Sequence, residues 1–170
     1  TLIYSALQIY NWNNDNNKID NQMEKVEEVV EVKEVEDSEK VELVNPIENK
    51  KDPYWDYIKL SLIDVDFTEL KSINSETVGW IQVLGTNINY PFVQSKDNKY
   101  YLTHSFEKKY TDAGWVFLDY RNDINNLSKN NIIYGHARLD KTMFGSLRNT
   151  LKNSWFNNKD NRIIKVSSEN

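Results

Sequence analysis

Five short apolar runs, each followed by polar or turn-forming residues, constrain the fold of this chain more than any other feature. They are Val78-Gly79-Trp80-Ile81-Gln82-Val83-Leu84, Ile88-Asn89-Tyr90-Pro91-Phe92-Val93, Trp115-Val116-Phe117-Leu118-Asp119-Tyr120, Asn131-Ile132-Ile133-Tyr134 and Arg162-Ile163-Ile164-Lys165-Val166-Ser167. Their length and their β-branched and aromatic content read as strands. Gly85-Thr86-Asn87 supplies turn chemistry between the first two. Pro91 has no backbone N–H to give a ladder, which argues for an edge or a bulge in the second. Helical signals are fewer. Asp66 with Glu69 three residues on is a capping-box arrangement that opens a helix through Leu70 and Ile73. Residues 142–152 place Phe144, Leu147 and Leu151 on one helical face, and residues 97–106 read as a short helix or an ordered loop. The fold class expected is β-rich, mainly β with short helices. The last run ends almost with the chain, which predicts a sheet that is incomplete there and leaves an unpaired strand edge.

The N-terminal third is different in kind. Residues 1–12 are apolar but shorter than the roughly 20 apolar residues a membrane-spanning helix needs. They read either as the end of a single-pass N-terminal anchor, with Tyr10 and Trp12 at the interface, or as a frayed amphipathic terminus. Residues 13–52 are acidic and low in complexity. The stretch from Asp20 to Asp52 carries about −7 of a net charge of −5, which leaves the remainder close to neutral. Met23, Val26 and Val30 have helical spacing while Val30 and Val32 alternate like a strand, so neither period is established. The charge density favours an extended, solvated stalk, with a partner-binding amphipathic helix as the alternative. Folded structure is expected from residue 53, where the run from Tyr54 to Ile63 places aromatic and aliphatic groups on a helical face. There is no basic stripe, so no nucleic-acid partner is expected.

The candidate for chemistry is His136. The run Ile133-Tyr134-Gly135-His136 delivers it to the end of a strand, where the chain leaves the sheet. Functional residues concentrate at such exits, and an imidazole there can act as acid or base near neutral pH. His104 has no motif around it and reads as a loop residue. Asp119 and Arg121 lie two apart on one strand face and read as a structural ion pair, and Met143 and Phe144 as packing that props the loop after His136. Two histidines in unlike contexts do not make a metal-ligand spacing, and no cofactor is expected.

Taken together, these pieces resemble the front part of a class B sortase. The segments that carry the resemblance are Asp66-Phe67-Thr68-Glu69-Leu70, Val78-Gly79-Trp80-Ile81, Asn87-Ile88-Asn89-Tyr90-Pro91, Val93-Gln94-Ser95-Lys96-Asp97-Asn98-Lys99-Tyr100-Tyr101-Leu102, Phe117-Leu118-Asp119-Tyr120-Arg121, Ile133-Tyr134-Gly135-His136 and Thr142-Met143-Phe144-Gly145-Ser146-Leu147. The resemblance implies a membrane-anchored, extracytoplasmic transpeptidase of Gram-positive bacteria with a sortase-like β-barrel over residues 53–170, incomplete at its C-terminus. In that family a cysteine thiolate attacks the Thr carbonyl of a C-terminal sorting signal. An amine of a peptidoglycan precursor then resolves the thioacyl-enzyme. The resemblance places His136 on the family's acid/base histidine, Asn98 and Leu102 along the groove for the sorting peptide, and Tyr134 beside the site. Packing or local capping is the alternative role for the last three.

The departure is as informative as the match. The chain contains no cysteine, and the strands that carry the family's Cys and Arg come later than any segment matched here. Neither Ser167 nor Ser168 occupies the nucleophile's place. Without a thiolate no acyl-enzyme forms, so the chain is expected to be inactive by itself. The competing expectation is a non-catalytic cell-surface binding module on a sortase-like half-barrel.

Overall fold

A computed structural model describes residues 2–30, 32–34 and 62–169. Helix α1 spans Leu2–Val29. Residues 13–29, for which the charge pattern favours extended chain, are thus helical. The reason is a sparse stripe: Ile19, Val26 and Val30 are buried, and Met23 packs beside them. These positions recur at helical spacing along one face, while the acidic residues between them stay in solvent.

The described residues do not bear out the expected membrane anchor. Among the described residues no helix is long and apolar enough to cross a membrane. The apolar part of α1 ends at Trp12, and Asn13, Asn14, Asp15, Asn16, Asn17 and Lys18 follow it, far short of the roughly 20 apolar residues a span requires. Leu2, Ile3, Tyr4, Leu7 and Tyr10 are exposed. The helical face expected at residues 54–61 lies outside the described residues. Its last two members do not continue it: Leu62 is exposed, and Ile63 opens a strand instead.

Strands β1 (Val32–Glu34) and β2 (Ile63–Val65) form a small antiparallel ribbon. Helix α2 (Thr68–Ile73) follows. Asp66 starts it as the acceptor of the Thr68 backbone N–H at 2.8 Å, and the Thr68 hydroxyl and then this N–H hold its carboxyl below the usual range.

The main sheet has five strands in the order β6-β5-β4-β3-β7 and curls into a half-barrel. They are β3 (Thr77–Val83), β4 (Asn89–Val93), β5 (Phe117–Leu118), β6 (Ile133–Tyr134) and β7 (Ile164–Ser167). β4 and β5 run parallel, and the other neighbours are antiparallel. All five runs that the sequence marks as strands enter this sheet, β5 and β6 as two-residue strands. The architecture is the β-rich one that the sequence predicts.

Pro91 is tolerated in β4, an interior strand of the sheet, for a local reason. β5 pairs with β4 only at Val93, so the ladder on that side does not reach Pro91, whose carbonyl instead accepts the Trp115 indole N–H at 3.0 Å. The bulge lies opposite, in β3 between Thr77 and Gly79. Trp80, Phe92, Phe106, Trp115 and Phe117 form the aromatic part of the core, each no more than 2% exposed. Burying a side chain of this size contributes about 1.5–3 kcal/mol, which is why the β3–β4 pair is the platform of the domain.

The helix expected over residues 142–152 forms later and tighter. Met143 has φ +48, a left-handed value incompatible with a helix starting at Thr142. A 3-10 helix occupies Gly145–Leu151, and a short helix, α3, spans Asn153–Phe156.

Candidate functional site

The short strands β5 and β6 bring the site together. β5 delivers Asp119 at its C-terminal end. β6 delivers Tyr134 and, after Gly135, His136. The 3-10 helix Tyr100–Leu102 faces them. Asp97 caps that turn by accepting the backbone N–H groups of Lys99 and Tyr100 at 2.8 and 2.9 Å, and those donors hold its carboxyl below the usual range.

His136 is half-buried, and its Nε2 lies 2.8 Å from the carbonyl oxygen of Leu102. A carbonyl only accepts, so Nε2 carries a proton here, and Nδ1 is the ring nitrogen left to take up or release one. Gly114 permits this approach. It has φ +61, and a Cβ there would stand 2.5 Å from the Tyr101 oxygen, 2.8 Å from the Leu102 oxygen and 3.0 Å from the His136 ring. The Leu102 side chain is 40% exposed, so it is open to a ligand.

A second link joins the same two segments. Asp119, a carboxylate only 1% exposed, accepts from the Asn98 amide at 2.8 Å and from the Tyr134 hydroxyl at 3.0 Å, both on Oδ2. Arg121 donates to it three times, through its backbone N–H, Nε and Nη2, at 2.8 to 2.9 Å. These contacts hold the Asp119 carboxyl far below the usual carboxylate range, the Arg121 side chain first among them. The carboxylate in turn raises the Tyr134 phenol. A buried carboxylate with this many donors is fully satisfied. The Tyr134 ring also stacks on Phe117 with centroids 5.1 Å apart.

All four residues singled out by the sequence therefore lie on two rungs between one pair of segments. Leu102 and His136 make one rung directly, and Asn98 and Tyr134 make the other through Asp119. The sequence foretold the Asp119–Arg121 pair but not that Asp119 organises two site residues. The signal was present as a carboxylate in an otherwise apolar strand run, which requires partners if buried.

His104 stacks on Tyr100 at 4.0 Å between ring centroids, and its Nδ1 lies 2.8 Å from the Tyr100 carbonyl. It is a loop residue as expected. The segment after His136 is held by Arg138, which binds Asp140 at 2.8 Å and Thr142 at 3.0 Å. It also reaches α1 by a hydrogen bond to Asn16. Met143 is fully buried beneath this segment, and the Phe144 N–H closes onto the His136 carbonyl at 2.9 Å.

No protein-family model matches the chain. Individual proteins do. Sortase B of Staphylococcus aureus is 44% identical over 103 residues, which are 61% of this chain and 41% of that protein. The crystal structure of sortase B from Bacillus anthracis in complex with AAEK1 superposes with a TM-score of 0.56 at 43% identity, covering 60% of this chain and 48% of that one. The Staphylococcus aureus sortase B–substrate complex gives a TM-score of 0.56 at 41% identity, covering 61% and 47%. The chain is thus similar to sortase B in sequence and fold over about three-fifths of its length. It spans less than half the length of each of these relatives.

Proposed function

We propose that this chain is the histidine-bearing part of a class B sortase-like transpeptidase, one that cleaves a C-terminal sorting signal after Thr and joins surface proteins to peptidoglycan. The observation that carries this reading is His136 at the exit of β6, held at 2.8 Å by the Leu102 carbonyl, within a chain 44% identical to a sortase B over 103 residues. In the proposed reaction His136 protonates the departing amine and then takes a proton from the incoming amine of a peptidoglycan precursor. With Nε2 bound to Leu102, Nδ1 is the atom suited to that exchange. Leu102 offers an apolar wall to the sorting peptide, and Asn98 and Tyr134 offer polar contacts. A solved relative is described as a sortase B–substrate complex, which supports a peptide as the ligand class.

The chain has no cysteine and supplies no thiolate, so by itself it forms no acyl-enzyme. Incubated with a fluorogenic sorting-signal peptide it should give no cleavage above background, and measurable cleavage would refute this part of the reading. A non-catalytic surface-binding module is the second reading. Sequencing the gene past the codon for Asn170 separates the two. A strand carrying Cys, followed by one carrying Arg, supports the transpeptidase, and a stop codon at that point supports the binding module.

A further inference from the structure

The contacts of Asp119 do more than hold the fold. The Asn98 side-chain oxygen accepts the Tyr120 backbone N–H at 3.0 Å, and a backbone N–H only donates. This fixes which end of the amide is which, and directs Nδ2 to Asp119 at 2.8 Å. One Nδ2–H is thereby committed and the second remains. Tyr134 has a single hydroxyl proton, and an ionised carboxylate only accepts. The proton must therefore point at Asp119, 3.0 Å away, which leaves the hydroxyl with lone pairs alone to offer elsewhere. The paired Arg121, at 2.8 Å, keeps the carboxylate ionised.

We infer that Asp119 is a positioning residue that fixes the hydrogen-bond polarity of the site, so that Tyr134 meets a ligand only as an acceptor and Asn98 meets it with a donor N–H. The complementary ligand is the main chain of an extended peptide, which presents N–H and C=O groups in alternation. The inference rests on the reading of this site as a sorting-peptide groove. It adds that recognition of one peptide N–H depends on a carboxylate that does not touch the peptide.

The test is an NMR chemical-shift titration of the full 170-residue chain with acetyl-Ala-Ala-Ala-Thr-Gly-amide. Versions of the peptide methylated at one amide nitrogen at a time are titrated beside it. In the wild type, methylation at one position should weaken binding about tenfold, as expected for a lost hydrogen bond, and the other positions should matter little. In Asp119→Asn, an oxygen kept for the Arg121 backbone N–H and Nε turns an NH2 toward Asn98 and Tyr134, whose hydroxyl then accepts from it and donates elsewhere, so the discrimination should fall to within about twofold. Tyr134→Phe should flatten it equally, and keeps the test decisive if Asp119→Asn does not fold. A merely structural Asp119 would weaken all the peptides alike and preserve their ratio. Undiminished discrimination in Asp119→Asn or Tyr134→Phe overturns the inference, and so does a wild type that binds without positional preference. A wild type that binds none of the peptides overturns the sorting-peptide reading, and the inference with it.

Discussion

β3 has two neighbours of opposite character. On one side β4 is buried at four of its five residues, with Phe92 and Val93 inaccessible to solvent. On the other side β7 pairs with β3 from Trp80↔Ser167 to Val83↔Ile164, yet exposes Ile164 by 63% and Val166 by 49%. The β4 flank is held by side-chain packing as well as its ladder, and the β7 flank mainly by the ladder. The candidate site hangs entirely on the β4 flank, through β5 and β6. The candidate site therefore lies on the more deeply buried flank of the sheet.

The largest expected effect is on the packed flank. Phe92→Ala should cost about 3–5 kcal/mol, read from the urea midpoint of the 170-residue chain. A loss no greater than that of an exposed residue would break the contrast between the flanks. Next comes Asp119→Asn, whose effect depends on pH. The folded carboxyl titrates below its unfolded value of about 3.9. Its stabilisation is therefore complete above that value and is lost as pH falls towards the lower, folded one. The gap in stability between wild type and Asp119→Asn should be constant from pH 7 to about 5 and shrink below about 4, measured by denaturation at each pH. A gap that widens in acid would show the sign to be wrong.

Gly79→Ala tests both flanks at once. A Cβ there would stand 2.3 Å from the Phe92 ring and 2.7 Å from the Ser167 carbonyl. Overpacking of this kind costs about 1–3 kcal/mol. Because β7 is the flank able to yield, amide exchange in β7 should quicken more than in β4. Val166→Thr should have the smallest effect, within about 0.5 kcal/mol. A larger loss on thermal or urea unfolding would mean that something covers β7 in solution.

The same contrast governs what the sequence could reveal. β3 and β4 were legible because both have the apolar, aromatic composition of covered strands, and the turn between them uses Gly85 at φ +70. His136 was legible because its neighbours in the chain place it at a strand exit. The helix over residues 13–29 was not. It docks through Ile19, Met23, Val26 and Val30 amid acidic residues, and so thin a stripe carries little periodic signal. The late start of the helix expected over residues 142–152 was hidden as well, because only the backbone at Met143 discloses it. Asp119 was half legible. Its pairing with Arg121 is local, but Asn98 and Tyr134 converge on it from 21 and 15 residues away. No spacing rule predicts that convergence.

Gly114 has a consequence for how such a site can be searched. The space where the Leu102 carbonyl and the His136 ring meet exists because residue 114 carries a hydrogen where any amino acid but glycine would carry a carbon. An alanine scan ordinarily subtracts atoms and asks what is missed. At this position it adds a methyl and asks what is displaced. The residue on which the imidazole's placement depends has no functional group to delete, and an inventory of reactive side chains passes over it.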